Sequence, residues 1–229
     1  MRYFHELQEG LNDPNIFKAF FLAGGPGSGK SFVVRTTTGG TGLQIVNSDD
    51  AFERYLKQEG ISLKMSGDDP RRDEIRDKAK KVIKKREQNF VAGRLGIIID
   101  GTGKNYEKIV NQSIQLRQLG YDTHMIFVNT TLDVALERNA KRDRTVPESI
   151  AVQSWKDVQS NIGKFSQHFK QNFVVVDNND SSKKDSQVFN DVFKQIKGLL
   201  KKKVKSPIAK QWVMQQMKDR GITRAPKGW

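Results

Sequence analysis

Short apolar segments alternate along the chain with longer segments in which apolar residues recur every three or four positions. The short segments are rich in Ile, Val and Phe and are mostly bounded by Gly, Asn or Asp, which is typical of buried parallel strands. They predict strands over residues 19–23, 43–47, 95–100, 123–129 and 173–177. The longer segments predict helices over residues 30–38, 71–92, 106–119 and 148–161. This alternation predicts an α/β fold in which helices sandwich a mainly parallel sheet.

The last predicted strand is followed by a polar loop over residues 178–182 and by two amphipathic segments, 185–203 and 208–220. The apolar stripe along the first segment favours packing on the sheet over binding of a cofactor. The formal net charge is +14 over 229 residues, and residues 183–229 contain 13 Lys or Arg and 3 Asp, a net charge of +10. We therefore predict a domain over residues 1–182 and a basic helical C-terminal extension over residues 183–229.

The concentration of positive charge in this extension indicates a polyanion as partner, and nucleic acid is the polyanion that we expect. Two other interpretations stay open: a solvated face that keeps the protein in solution, and a helix pair that lies on a membrane surface. The sequence contains no cysteine, which excludes disulfides, thiolate catalysis and zinc–thiolate sites. Its N-terminus lacks the layout of a signal peptide, and no apolar run reaches transmembrane length. We therefore expect a cytoplasmic protein that does not cross a membrane.

Residues 24–31 read Gly-Gly-Pro-Gly-Ser-Gly-Lys-Ser and follow directly on the first predicted strand. This is the pattern G-x-x-x-x-G-K-S of the phosphate-binding P-loop, whose glycines let backbone N–H groups surround an anion at a helix N-terminus. It predicts that Lys30 contacts the β- and γ-phosphates of a nucleoside triphosphate and that the Ser31 hydroxyl binds Mg²⁺. A glycine-rich turn that binds nothing is the alternative. The predicted nucleotide-binding residues are Gly25, Pro26, Gly27, Ser28, Gly29, Lys30 and Ser31.

A carboxylate, Asp100, ends the third predicted strand and is followed by Gly101-Thr102-Gly103. An Asp at this position can bind Mg²⁺ directly or through water, or it can order the site; alternatively, it caps the next helix. Motor ATPases of the common type need a second carboxylate beside this Asp to activate water, and no Glu follows here. The sequence therefore favours phosphoryl transfer to a hydroxyl acceptor over hydrolysis that is coupled to motion.

The second predicted strand ends in Asn47-Ser48-Asp49-Asp50. Loops at the carboxyl ends of parallel strands meet over the ligand, so a carboxylate in this loop can accept the proton of an attacking hydroxyl. Asp49, the first carboxylate after the strand, is the predicted catalytic base. Asp50 could take this role instead, and both carboxylates could merely cap the following helix.

Two arginines, Arg138 and Arg142, occur in a basic segment that ends at Val146-Pro147. Because they are four residues apart, we expect them on one face of a helix. A lid over residues 135–150 would bring their guanidinium groups over the phosphates, where they would stabilise the charge of the transferring phosphoryl group. A solvated basic helix is the alternative interpretation.

Together these segments resemble the P-loop kinase group of the phage-type 5′-polynucleotide kinases and the zeta toxins, which includes phage kinases that act on hydroxymethylated bases in DNA. Three blocks carry the resemblance: residues 25–31, Asn-x-Asp-Asp at 47–50, and Arg-Asn-x-Lys-Arg with the following Val-Pro at 138–147. The resemblance implies a P-loop NTPase-type sheet, with ATP and Mg²⁺ as cofactors. It also implies that Lys30 and Ser31 hold them, that Asp49 activates the acceptor hydroxyl, and that both arginines belong to the lid.

One departure from this group affects the acceptor. Polynucleotide kinases of this type place an arginine three residues beyond the catalytic Asp to hold the acceptor phosphate, whereas this chain has Phe52 there, with Arg54 nearby. We expect a kinase that phosphorylates a hydroxyl on nucleic acid, with DNA favoured over RNA. The hydroxyl is either a 5′ end or the hydroxymethyl group of a modified base such as 5-hydroxymethyluracil, and the enzyme works in the host cytoplasm if it is phage-encoded. The alternatives are a zeta-toxin-like kinase of a nucleotide sugar or other small molecule, and a nucleic-acid-binding module that uses ATP as a switch.

Overall fold

A parallel sheet lies at the centre of the computed structural model, which describes residues 10–32, 34, 39–63, 69–142, 145–179 and 185–224. Its five strands are β1 (Lys18–Ala23), β2 (Gln44–Val46), β3 (Ile97–Asp100), β4 (Asp122–Asn129) and β5 (Phe173–Asp177). Their order across the sheet is β2-β3-β1-β4-β5, and every neighbouring pair is parallel. The predicted α/β fold with a parallel sheet is confirmed.

The helices cover both faces of this sheet. A helix begins in the P-loop and includes residues 30–32 and 34; the other residues of this predicted helix, 33 and 35–38, lie outside the described part of the chain. Among the described residues, no helix combines the length and the apolar character that a membrane span requires. The later helices are α1 (Ser48–Gln58), α2 (Arg71–Ala92), α3 (Tyr106–Gln118), α4 (Leu132–Ala140), α5 (Glu148–Ser160), α6 (Ile162–Phe169), α7 (Asp185–Lys201) and α8 (Pro207–Asp219).

Alternate residues of β1 enter two hydrophobic cores on opposite faces of the sheet. Phe21 packs in the core that contains Phe165 of α6, whereas Phe20 packs in the core that contains Ile196 and Leu199 of α7. Side chains of successive strand residues point to opposite faces. Because both faces are covered, a strand in this position needs apolar residues throughout, which explains the continuous apolar run in the sequence.

A third hydrophobic cluster joins α1 to α2. Phe52 and Leu56 of α1 are buried against Ile75, Ala79 and Ile83 of α2. These three residues of α2 recur every four positions, so they occupy one face of that helix. The contact holds the first half of α2 against the second and third turns of α1.

The last helix, α8, packs at the amino-terminal edge of the sheet. Its Trp212 ring meets the ring of Phe17, directly before β1, edge to face with centroids 5.4 Å apart. Ala209 of α8 approaches Gly120 so closely that a Cβ at Gly120 would lie 2.9 Å from the Ala209 nitrogen. The P-loop follows the other end of β1, so α8 lies at the opposite edge of the sheet. The exposed lysines at the junction of α7 and α8 lie at that edge: Lys201, Lys202, Lys203 and Lys205.

A buried ion pair joins β1 to β4 near the same edge. Lys18 is 2% exposed, and its Nζ lies 2.7 Å from Oδ2 of Asp122. The Nε2 atom of His124 lies 3.2 Å from the same oxygen. Burial raises the pKa of the Asp122 carboxyl, but its contacts with His124 and Lys18 together hold that pKa well below the usual range for Asp.

Candidate functional site

The P-loop lies at the carboxyl edge of the sheet, between the loops that follow β3 and β4. Strand β1 pairs with β3 on one side and with β4 on the other, and Leu22 of β1 is in register with Asp100 of β3. The N–H group of Gly24 donates to the carbonyl oxygen of Thr102, 2.9 Å away. The strand order thus places Asp100 beside the P-loop, although 70 residues separate it from Lys30 in the sequence.

A cavity of about 370 Å³ opens over the P-loop. It is lined by residues 25 and 27–31 together with Phe32, Arg138 and Arg142, so that, within the described part of the chain, three cationic side chains and no carboxylate face it. Backbone N–H groups at a helix N-terminus and cationic side chains are the groups that bind polyphosphates. The residues present therefore fit the triphosphate of a nucleotide.

At two positions of the P-loop, neighbouring atoms leave no room for a side chain larger than that of glycine. A Cβ at Gly27, where φ is +77°, would lie 2.0 Å from the carbonyl oxygen of Ala135, and a Cβ at Gly29, where φ is +82°, would lie 2.4 Å from Nδ2 of Asn178. The P-loop is thus held between the start of α4 and the loop after β5. A side chain at either position would push the loop out of its conformation.

Asp100 connects the P-loop to the loop after β2. Its side chain is 3% exposed, and its Oδ1 lies 2.5 Å from Nζ of Lys30. Its other oxygen, Oδ2, accepts a hydrogen bond of 2.9 Å from Nδ2 of Asn47. Asp100 does not cap the next helix, because Asn105 is the N-cap of α3. The carboxylate is thus oriented by two neighbours at the point where the phosphates would lie.

Asn47, rather than either aspartate, caps α1. Its Oδ1 accepts hydrogen bonds from the N–H groups of Asp49 at 2.8 Å and Asp50 at 3.4 Å. The alternative in which both aspartates cap the helix is therefore wrong: their carboxylates belong to its first turn, at exposed positions. A side-chain oxygen directly before a helix is the usual N-cap, so the sequence contained the signal for Asn47.

Arg138 and Arg142 both line the cavity, but only Arg138 belongs to a helix. Arg138 lies in α4, but that helix ends at Ala140, so the prediction that Arg142 shares its face is wrong. The Asn139 side chain explains the early end, because it donates to the carbonyl oxygen of Val146 and accepts from its N–H group, at 2.7 and 3.2 Å. These bonds fold the chain back after the helix. Both arginines nevertheless line the same cavity.

Asn178 holds the P-loop and Arg138 together. Its Nδ2 donates to the carbonyl oxygen of Ser28 at 2.8 Å, and its own carbonyl oxygen accepts from Arg138 at 2.8 Å. The side chain is buried, with 5% exposure. In the sequence this residue belongs to a polar loop, and no local signal distinguishes it from its neighbours. Its contact with Ser28 spans 150 residues, which explains why sequence reasoning missed it.

Phe52 occupies the position at which this chain departs from the polynucleotide kinases, and arginines from another helix lie next to it. Phe52 is 1% exposed, and the guanidinium groups of Arg72 and Arg76, both from α2, lie over its ring. Arg54, which is closer in sequence, lies instead over the ring of Tyr55.

Three comparisons with solved structures show the fold. A candidate kinase from Chloroflexus aurantiacus is 13% identical, with a TM-score of 0.53 over 83% of this chain and 98% of that chain. The AvrRxo1-ORF1:AvrRxo1-ORF2 complex with ATP is 16% identical, with a TM-score of 0.55 over 72% of this chain and 55% of that chain. The Pnkp1/Rnl/Hen1 RNA repair complex is 20% identical, with a TM-score of 0.51 over 66% of this chain and 46% of that chain.

Sequence comparison adds the family. Curated protein sequences give no significant match. The sequence model of the zeta toxin family, however, matches residues 7–188, which is most of the chain and includes the P-loop, Asp49, Asp100 and both arginines. This chain is a P-loop kinase and belongs to the zeta toxin family.

Proposed function

We propose that this kinase transfers the γ-phosphoryl group of ATP to a hydroxyl group on nucleic acid. The observation that supports transfer most directly is one hydrogen-bonded network at the carboxyl edge of the sheet. In this network Asn47 binds both the first turn of α1, which contains Asp49, and Asp100, which contacts Lys30. The same set of hydrogen bonds and ionic contacts therefore fixes the position of the candidate base relative to the phosphate-binding lysine.

Each side chain has a defined part in the proposed reaction. The acceptor oxygen attacks the γ-phosphorus, the bond to the bridging oxygen breaks, and ADP leaves. Asp49 accepts the proton of the acceptor hydroxyl, which its exposed position allows. Lys30, Arg138 and Arg142 stabilise the negative charge of the transferring group, since all three line the cavity.

Mg²⁺ fits the oxygen donors present at the site. The Ser31 hydroxyl and the Asp100 carboxylate would hold it, together with phosphate oxygens and water, because Mg²⁺ retains several waters and needs few protein ligands. When bound, the ion would neutralise part of the phosphate charge. Among the described residues no group of three or more His, Cys, Asp or Glu is placed to bind a metal.

Positive charge on two surfaces supports nucleic acid as the acceptor. Helix α2, which starts beside α1, contains nine Lys or Arg and four Asp or Glu, a net charge of +5. The exposed lysines of residues 201–205 lie at the other edge of the sheet. A longer nucleic acid can place more of its phosphates against these surfaces, so we expect its affinity to exceed that of a short one.

Transfer of label from γ-labelled ATP tests the proposal, with Lys30→Ala as the blank. The acceptors are 5′-hydroxyl oligonucleotides of 4 and 20 nucleotides, a duplex that contains 5-hydroxymethyluracil, and a pool of nucleotide sugars. We expect label on nucleic acid, a lower KM for the longer acceptor, and an affinity that falls steeply with salt. Absence of label from every nucleic acid would refute the proposed acceptor.

A pair of variants tests the predicted base. Asp49→Asn should leave ATP binding intact and slow transfer by roughly 10²–10⁴, because it removes the proton acceptor without adding bulk. Asp50→Asn in the same turn is the matched control, and its transfer rate should stay near that of the wild type. If Asp50→Asn is the slow variant instead, the two roles are reversed; if Asp49→Asn loses ATP binding, Asp49 is not the base.

A second candidate acceptor is a nucleotide sugar. The zeta toxin match ends at residue 188, and the helix beyond it, α8, contributes Ala209 and Val213 to the hydrophobic core. The extension therefore contributes to the hydrophobic core, a role that does not require a nucleic acid as partner. Label in the nucleotide-sugar pool alone would establish this alternative. A test by truncation after residue 203 is unsuitable, since it would remove core residues.

A further inference from the structure

Two arginines of α2 form a fixed positive surface one helical turn beyond Asp49. The guanidinium carbon of Arg76 lies 4.3 Å from the centroid of the Phe52 ring, and that of Arg72 lies 5.8 Å from it. The ring is 1% exposed, and both arginines are half-buried. A cation over an aromatic face is attracted to it, and the buried ring is itself held by the α1–α2 core.

This surface adjoins the candidate base. Asp49 and Phe52 are three residues apart in α1, which places them on the same face of the helix, about 4.5 Å apart along its axis. Helix α2 covers that face at Phe52 through Arg76. A group bound between Arg72 and Arg76 would therefore lie beside a hydroxyl that is positioned at Asp49.

Neither arginine forms an ion pair with a described carboxylate, although the charge of Arg72 contributes to the lowered pKa of Asp69. Arg76 makes neither an ion pair nor a hydrogen bond to a described residue, and Arg72 donates only to the carbonyl oxygen of Ser62. Their neighbour Arg71, by contrast, pairs with Asp69 at 2.7 Å. Like charges four residues apart on a helix repel each other, and a bound anion would remove that repulsion. Planar guanidinium groups match the geometry of phosphate oxygens.

We propose that Arg72 and Arg76 bind a phosphate group of the acceptor and thereby position the neighbouring hydroxyl at Asp49. The acceptor is then a phosphate-bearing molecule, such as a nucleic acid strand with its phosphodiesters. This inference rests on the proposed transfer to such an acceptor and names the side chains that select it. Binding at this site lowers the KM for the acceptor and leaves the affinity for ATP unchanged.

Calorimetric titration with the dinucleotide TpT tests the site without turnover. The P-loop is first saturated with the β,γ-imido analogue of ATP and Mg²⁺, so that a phosphate cannot bind there instead. Arg76→Gln should weaken TpT binding about 10- to 100-fold, the range expected for the loss of hydrogen bonds to a charged group. Thymidine, which has no phosphate, should bind weakly and equally to wild type and variant.

Arg86→Gln is the matched control, because it removes the same charge from an exposed position about 15 Å further along α2, which a long strand can contact but a dinucleotide bound at Arg76 cannot reach; this variant should bind TpT like the wild type. Arg72→Gln and Arg76→Lys provide second variants if Arg76→Gln unfolds, and both should weaken binding. Equal TpT affinity in wild type and folded Arg76 variants, or no binding by the wild type, would overturn the inference. If TpT binding depends on Arg76 but no nucleic acid accepts label, the phosphate-binding site is supported and nucleic acid as the phosphoryl acceptor is refuted.

Discussion

Replacement of Asn47 by alanine should cost far more than the loss of an ordinary helix cap, because this one side chain makes two kinds of contact. As the N-cap of α1 it contributes about 1 kcal/mol to the free energy of unfolding. Its Nδ2 also donates to the carboxylate of Asp100, which is 3% exposed, and such a bond to a buried charge contributes about 1.5–3 kcal/mol. We expect Asn47→Ala to lower the free energy of unfolding by about 3 kcal/mol.

The chain offers a matched control in Asn105, which caps α3 through a single bond of 2.9 Å to the N–H group of Lys108. Asn105→Ala removes a cap of the same chemistry and should cost about 1 kcal/mol. Asn47→Ser keeps a capping oxygen but cannot reach Asp100 in the same way, so its cost should lie between those of the two alanine variants. Urea denaturation of the three variants and the wild type, with equal m-values, measures these differences.

The same variants separate stability from catalysis. Asn47→Ala and Asn47→Ser should both lower kcat, since Asp100 and the first turn of α1 lose their common support, whereas Asn105→Ala should leave kcat unchanged. The reasoning is refuted if Asn47→Ala and Asn105→Ala cost the same free energy and both retain the wild-type kcat. In that case Asn47 would act as a cap alone.

Three further substitutions test other parts of the structure. Gly29→Ala should abolish binding of a fluorescent ATP analogue, because the new Cβ would lie 2.4 Å from the side-chain nitrogen of Asn178 in the loop after β5. Gly40→Ala is the control for backbone strain alone, because Gly40 has a φ of +72° but a Cβ there would have no atom within 4 Å. Arg142→Ala should lower kcat by about 10²–10³ in the transfer assay with little change in ATP affinity. Asp122→Asn should cost about 3 kcal/mol in urea, since it leaves the ammonium of Lys18 buried without its partner. Because the folded pKa of Asp122 is depressed, its stabilising contribution is fully present above the unfolded value of about 3.9 and is lost progressively between that value and the lower folded pKa. The difference in stability between wild type and Asp122→Asn should therefore begin to narrow below about pH 4 and should disappear only below the folded pKa.

The strands and the P-loop were predictable because their signals are local. A strand that is buried on both faces needs a continuous apolar run, and β1 and β5 were located from such runs to within one residue. Helix α2 was predicted with its observed bounds, since its apolar positions recur at helical spacing. The P-loop pattern likewise identifies Lys30 and Ser31 without reference to the rest of the chain. Segments with no such periodicity, above all the loop after β5, provided no comparable signal.

The fold class, the strand positions and the chemistry of the P-loop could therefore be inferred from the amino-acid sequence, because each depends on residues that are close together in the chain. Which distant side chains meet that loop depends on the folded structure. Asn47 reaches Asp100 across 53 residues and Asn178 reaches Ser28 across 150, and both contacts exist only because the strand order brings these loops to one edge. The position of the basic extension was decided in the same way, since the packing of Trp212 on Phe17 places α8 at the opposite edge of the sheet. Local preferences are set by neighbouring residues, whereas these contacts depend on how the whole chain buries its apolar surface.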